Sequence, residues 1–474
     1  MVLEKQTKLL SEDHPDTLMA MGNLAWTHSD LGDWAKAKEL QVTVLEKRAK
    51  LLGQDHPQTL NAMGNLARTH STLGDFAKAK ELQVTVLEKR TKLLSEDHPE
   101  TLRAMGNLAW THSELGDFAK AKELRVTVLE KQTKVLGEDH PDTLMAMGDL
   151  AWTHFSLGDF AKAKELWVTV VEKQTRLLGE DHPDTLMAMG NLAATHSELG
   201  DFEKAKELKE LGVMVLEKRT KLLGEDHPET LRAMGNLAWT HSDLGDFAMA
   251  KELQVTVLEK QTKVLGEDHP DTLMEMGDLA WTHFSLGDFA KAKELWVTVV
   301  EKQTKVLGED HPGTLMAMTS LARTHSRLGD LDKAKELGVT VLEKRSKLLG
   351  EDHPETLSAM GNLAWTHSEL GDFAKAKELQ VTVLEKQTKV LGEDHPDTLM
   401  AMGNLAATHS ELGDFEKAKE LEVTVLEKRR QLLGDQHPHT ILAMKILIFT
   451  YRALDKLAEA AELEQLVTQI QMSL

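Results

Sequence analysis

The chain of 474 residues has no cysteine, a single tyrosine and only 11 prolines, and aromatic residues make up 4% of it. Without cysteine there is no disulfide framework, no thiolate nucleophile and no Cys-based zinc site. No apolar run approaches the roughly 18 residues a membrane-spanning helix needs. The opening MVLEKQTKLL also lacks the charged-then-apolar pattern of a secretory signal. These absences point to a cytoplasmic protein. Positive charge is the minority sign, with 56 Lys and Arg against 77 Asp and Glu, a formal net charge of −21. Such a surface repels the phosphates of nucleic acid and of anionic lipid, so neither is an expected partner. No P-loop, Gly-rich phosphate cradle or nucleophile–base constellation is present; no cofactor is expected and the chain does not look like an enzyme.

What is abundant is repetition. The string LGEDHPDTLMAMGDLAWTHFSLGDFAKAKELWVTVVEKQT runs from Leu136 to Thr175 and returns from Leu265 to Thr304 with one change, Ala146 becoming Glu275. His-Pro occurs at 14, 56, 98, 140, 182, 227, 269, 311, 353, 395 and 437, so every proline sits in one motif, spaced by 42 residues with a single interval of 45. A period in this range is the signature of a stacked repeat architecture, in which one unit cannot bury its apolar faces alone. No Pro/Gly/Ser-rich linker interrupts the series.

Each unit carries two helical patterns. In the unit beginning at His140, Leu144, Met147, Ala151 and His154 form one stripe, widened by Leu150 and Leu157. Asp139-His140-Pro141 suits the start of this helix, since Pro fits a first turn and Asp favours the positive end of the helix dipole. Gly158 suits its stop and Asp159 a cap for the next helix. The second helix carries Phe160, Ala163, Leu166, Val170 and Leu177 and ends at Gly179. The fold expected is all-α: a solenoid superhelix of about eleven 42-residue helix-turn-helix units. Residues 1–13 are expected to be a truncated second helix of a preceding repeat, 14–436 ten repeats including a 45-residue fifth unit over 182–226, and 437–474 a divergent C-terminal capping repeat. In the fifth unit, the tandem KELKEL from Lys206 to Leu211 adds three residues, roughly 300° of helix, and predicts a local distortion that alters the superhelical path.

The "NLA" stretch, the Gly116, Phe118 and Ala121 series and the closing "LG" of the unit at 98–139 resemble the tetratricopeptide repeat (TPR) family. The 42-residue length and "GEDHPDTL" look like its kinesin-light-chain-like subclass. Long, nearly identical arrays of this kind resemble the repeat regions of fungal and bacterial NLR-type proteins. The resemblance implies a protein-binding scaffold whose first helices line the inside of the superhelix. It also implies that an Asn in "NLA" bonds the backbone of an extended peptide, at Asn23, Asn65, Asn107, Asn191, Asn236, Asn362 and Asn404.

Opposite the buried stripe, the first helices present Trp26, Trp110, Trp152, Trp239, Trp281 and Trp365, a row that is costly to leave in water and that serves either a partner or packing on the next unit. Arg68 and Arg323, with Arg103 and Arg232, interrupt this face and could pair with acidic groups of a ligand. Most other ionisable groups there are acidic, so the expected partner is a protein or extended peptide that is neutral to basic and apolar. The Asn row is alternatively architecture between helices. The ten "TH" histidines from His28 to His409 fall on the buried stripe and are expected to be neutral, packed imidazoles that make the array acid-sensitive; no metal site is expected. An alternative function is a self-assembling or spacer solenoid, natural or designed, associating through an exposed N-terminal end at Met1–Leu10.

Overall fold

The computed structural model describes residues 9–30 and 33–473. Most of the half-helix expected over 1–13, and with it the proposed sticky end, lies outside these residues. Among them are 22 α-helices and no strand, paired as the period demands. The unit at His140 shows how. Its first helix, Pro141–Ser156, opens with Pro at the first position, and the His140 side chain caps it, Nδ1 accepting the Asp142 amide at 3.2 Å. Gly158 then turns the chain at φ 72°, and the Asp159 amide bonds back to the His154 carbonyl at 2.9 Å. The Asp159 carboxylate accepts the Lys162 amide at 3.3 Å, starting the second helix, Phe160–Leu178, which stops at Gly179 with φ 94°. Leu144, Ala151, Ala163 and Val170 are at most 2% exposed. The alanines let the two helices approach, and each fully buried Leu or Val contributes about 1.5–3 kcal/mol. Leu177, expected on the stripe, is 47% exposed.

Consecutive units are tied by a repeated clamp. The Lys of "LEK" reaches the acidic pair before its own unit, as Lys131 does to Glu96 and Asp97, and Lys344 to Glu309 and Asp310. Such exposed pairs are individually weak in water, but the same pair at the same place in unit after unit sets a uniform rotation between neighbours.

That rotation winds the array into more than one turn, and the turns touch. His311 of the eighth unit donates from Nε2 to the Thr72 carbonyl of the second at 2.6 Å, 239 residues away. His353, His395 and His437 repeat the bond to the carbonyls of Glu114, Ser156 and Glu198 at 3.0–3.1 Å. In the turn across the seam, Gly74, Gly116 and Gly158 face Pro312, Pro354 and Pro396 so closely that a Cβ on the glycine would stand 2.4–2.5 Å from the proline Cδ. The His-Pro dipeptide therefore caps its own helix with one ring nitrogen and staples the previous superhelical turn with the other, which fixes the neutral Nε2–H tautomer.

The 45-residue unit departs from expectation. Its second helix, Phe202–Leu223, is unbroken α-helix of 22 residues instead of 19, with neither bulge nor overwound segment. The surplus lengthens the helix, and the neighbouring first helices, Pro183–Glu198 and Pro228–Asp243, pack on each other more extensively than any other pair of first helices. In the last unit Tyr451 stands where the other units have His, Asp455 takes the turn at φ 58° in place of Gly, and Met444, Leu447, Ile448, Val467 and Ile470 join Val425 in a larger apolar cluster.

Candidate functional site: the inner wall of the superhelix

First helices of successive units approach one another from the fifth to the ninth unit, and second helices do not to that extent, so the first helices line the concave wall. Their outer stripe is what the lumen sees. Trp26, Trp110, Trp152, Trp239, Trp281 and Trp365 are 38–49% exposed, so one half of each indole packs and the other half is wet. Arg68 and Arg323 occupy the same register as these Trp residues. Each lays its guanidinium on the Trp of the preceding unit, 4.2 Å from the Trp26 ring and 4.9 Å from the Trp281 ring. Asn23, Asn65, Asn107 and Asn236 are exposed and Asn191, Asn362 and Asn404 half-buried. None of these side chains makes a hydrogen bond with the described residues, leaving an amide donor and acceptor facing the lumen at each step.

Only some of these residues converge. An open cavity of about 470 Å³ in the wall of the seventh to tenth units brings together Phe284, Arg323, Asn362, Trp365, Met400 and Asn404. It exists because of Gly338. At the matching position of the second helix, other units place Gln41, Gln83, Arg125, Trp167, Gln254, Trp296, Gln380 or Glu422, side chains that fill the space between the helices; Arg125, for example, bonds the Asp149 carbonyl at 3.0 Å. The other glycine at this position, Gly212, opens a cavity of about 230 Å³ that includes Asn236 and Arg232. Asn23, Asn65, Asn107, Trp26, Trp110, Trp152, Trp239, Trp281 and Arg68 line the wall without such a cavity, and Asn191 sits beside the smaller one. Sequence reasoning missed both glycines. Their signal is the residue directly after "KEL", which becomes glycine in just these two units; Thr319, standing where most other units have glycine, also lines the cavity at Gly338.

Three acidic residues of the fourth and seventh first helices are shifted by burial. Asp278 reaches only lumen water with protein on most sides, which penalises its charged form and pushes its pKa up to about 6. Asp149, in the same place three units earlier, is shifted the same way by the same cause. Glu275 is 7% exposed with one carboxylate oxygen unpartnered, and burial, then the nearby Asp278, raise it to about 8.

A tetratricopeptide repeat family model matches residues 30–92, 77–124, 116–167, 155–213, 283–345 and 328–385, and a second model of the same description matches 230–271 and 398–439. The chain belongs to the tetratricopeptide repeat family. Solved structures similar to it include nearly identical TPR-like repeats from Podosopora anserina, described as a kinesin light chain, at 31% identity over 43% of this chain and 97% of theirs, with a TM-score of 0.39. BtubC (BKLC) from P. vanneervenii is similar at 20% identity over 47% of this chain and 92% of its own, with a TM-score of 0.42. Among curated proteins, none matches.

As a TPR array the chain has one further constant feature. In every unit but the last the "TH" histidine points Nδ1 at the capping Asp five residues on, as in His70–Asp75, His112–Asp117 and His154–Asp159 at 2.8–3.0 Å. Most of these histidines are buried, as their register requires, and at His70, His112, His154 and His196 burial outweighs the carboxylate and sets the pKa below the usual 6.5. The Asp partner was not foreseen. It makes the histidine an orienting group for the next helix start, and no group of three or more metal-capable side chains converges among the described residues.

Proposed function

We propose that this TPR array is a non-catalytic cytosolic scaffold that holds an extended peptide or partner segment along its inner wall, with an apolar side chain anchored in the Gly338 cavity. The observation that carries this reading is that cavity: a recess open to the lumen and more apolar than polar, at whose rim Asn362 and Asn404 offer unused amides while Trp365 and Arg323 offer exposed flat surfaces. Amides read a main chain without reading its sequence, and the recess supplies the selectivity. The carboxyls at Asp149 and Asp278 on the wall favour a neutral to basic ligand elsewhere along it. The near-identity of units supports placement as the sensing or recruiting region of a larger NLR-like protein.

The test is a displayed-peptide selection against the array, followed by binding to Gly338→Gln and to the pair Asn362→Ala and Asn404→Ala. Gln is the residue that the ninth unit carries at this place, Gln380; at 338 its Cβ would stand 3.3 Å from Leu363 Cδ1, so it fills the recess with a small shift of that leucine. Peptides with an apolar anchor should be enriched and should lose about tenfold or more in affinity, about 1.4 kcal/mol, to each variant at unchanged helicity. Enriched peptides that bind both variants as they bind the parent would overturn the proposal.

A further inference from the structure

The seam between superhelical turns uses two complementary edges, and each edge continues past the seam without a partner. On one edge lie His-Pro turns. Where a turn is seated against the preceding coil, its histidine is hidden, with His395 keeping 7% of its side-chain surface; in the first coil, His140 and His182 keep 40% and 38%. Those two rings already accept the Asp142 and Asp184 amides at Nδ1, leaving Nε2 as a free donor pointing away from the helix. On the other edge lie Gly-Asp turns. Gly74, Gly116 and Gly158 of the first coil are covered by the prolines above them, but Gly287, Gly329, Gly371 and Gly413 of the second coil have nothing within 4 Å of a would-be Cβ.

The geometry points to a second copy of this chain as the occupant of these edges. The His-Pro edge of one molecule would seat on the Gly-Asp edge of another and repeat the contact that each molecule already makes with itself. The same four residues meet in both cases: a His-Pro donating to a first-helix end carbonyl and packing on the glycine behind it. Because the two edges are different surfaces on opposite ends of the coil, the contact is head-to-tail and does not close, so it propagates as a filament whose lumen is continuous. Net charge of −21 opposes this approach, so assembly should strengthen as salt screens the repulsion.

Blocking variants separate the edges. Gly329→Asn with Gly371→Asn adds side chains where a partner's proline would sit; Asn tolerates a positive φ, and the space is open in the single molecule. His98→Asn with His140→Asn keeps a side-chain acceptor at each helix start but removes the ring that reaches across, and neither histidine serves the internal seam. Light scattering and electron microscopy across protein and salt concentration should show the parent growing in mass to filaments and each variant remaining single. A mixture of the two variants, each with one intact edge, should stop at dimers. A parent that stays at the mass of one chain throughout, or variants that assemble as the parent does, overturns the inference.

Discussion

At the scale of single residues, the differences between otherwise copied units matter most. Glu275 is the one change in a 40-residue duplicate, standing where the fourth unit has Ala146. A carboxyl held at about 8 when folded, against 4.5 when free, costs no stability below pH 4.5, and its cost grows with pH until the folded group ionises near 8. Glu275→Ala should therefore stabilise the array by on the order of 1–3 kcal/mol near neutral pH and not at all below 4.5. Denaturant titrations at the two pH values check this; a loss of stability near neutral pH would show that Glu275 has a partner that offsets its burial. Gly338 and Gly212 are the same kind of exception. Their consequence was not legible in sequence because a glycine inside a helix signals weakness of that helix, while the cavity depends on what the facing helix fails to supply.

Helix pairs were the most legible level. Pro at the start, Gly-Asp at the turn and Gly at the end each has one local geometric reason, and the structure places them at helix boundaries, with Ser95 for the closing Gly in one unit and Asp455 for the turn Gly in the last. The partner of the "TH" histidine was hidden because it lies on the next element, where Asp159 had already been assigned a complete role as a cap. Lowered histidine pKa values carry a pH consequence. A histidine whose folded pKa lies below its free value of 6.5 contributes stability that is fully present above 6.5 and lost as pH falls below it. His311, His353 and His437 at the seam are lowered as well, again chiefly by burial, and protonating Nδ1 would remove a helix cap. The melting temperature should fall steadily from about pH 7.5 to about pH 5, and more steeply in Glu275→Ala, where the opposing carboxyl is gone. A flat profile would mean that the imidazoles are not effectively desolvated. The longer helix of the fifth unit shows the opposite limit of helical arithmetic: three extra residues, about 60° short of a whole turn, predicted a distorted helix, but the helix stays regular and the neighbouring first helices pack more closely instead.

On the scale of the whole molecule, the sequence was silent about the feature on which the rest depends. Every unit carries the same His-Pro and Gly-Asp, so nothing in the string distinguishes a turn that meets another coil from one that faces solvent. The return after six units is the sum of many small rotations, each set by alanine contacts and lysine clamps too similar to read singly. That return encloses the lumen, gives the wall its concavity and creates the two open edges. Its most direct test uses the absence of cysteine in the chain. Glu114 and Glu355 face each other across the seam closely enough for Glu355, after burial, to raise the Glu114 carboxyl, and the carbonyl of Glu114 takes the His353 bond. Mild oxidation of Glu114→Cys with Glu355→Cys should give an intramolecular disulfide in high yield. Glu114→Cys paired with Asp397→Cys, the matching position one unit further on, should not. Equal cross-linking of both pairs, or of neither, would contradict a superhelix whose coils are stapled together.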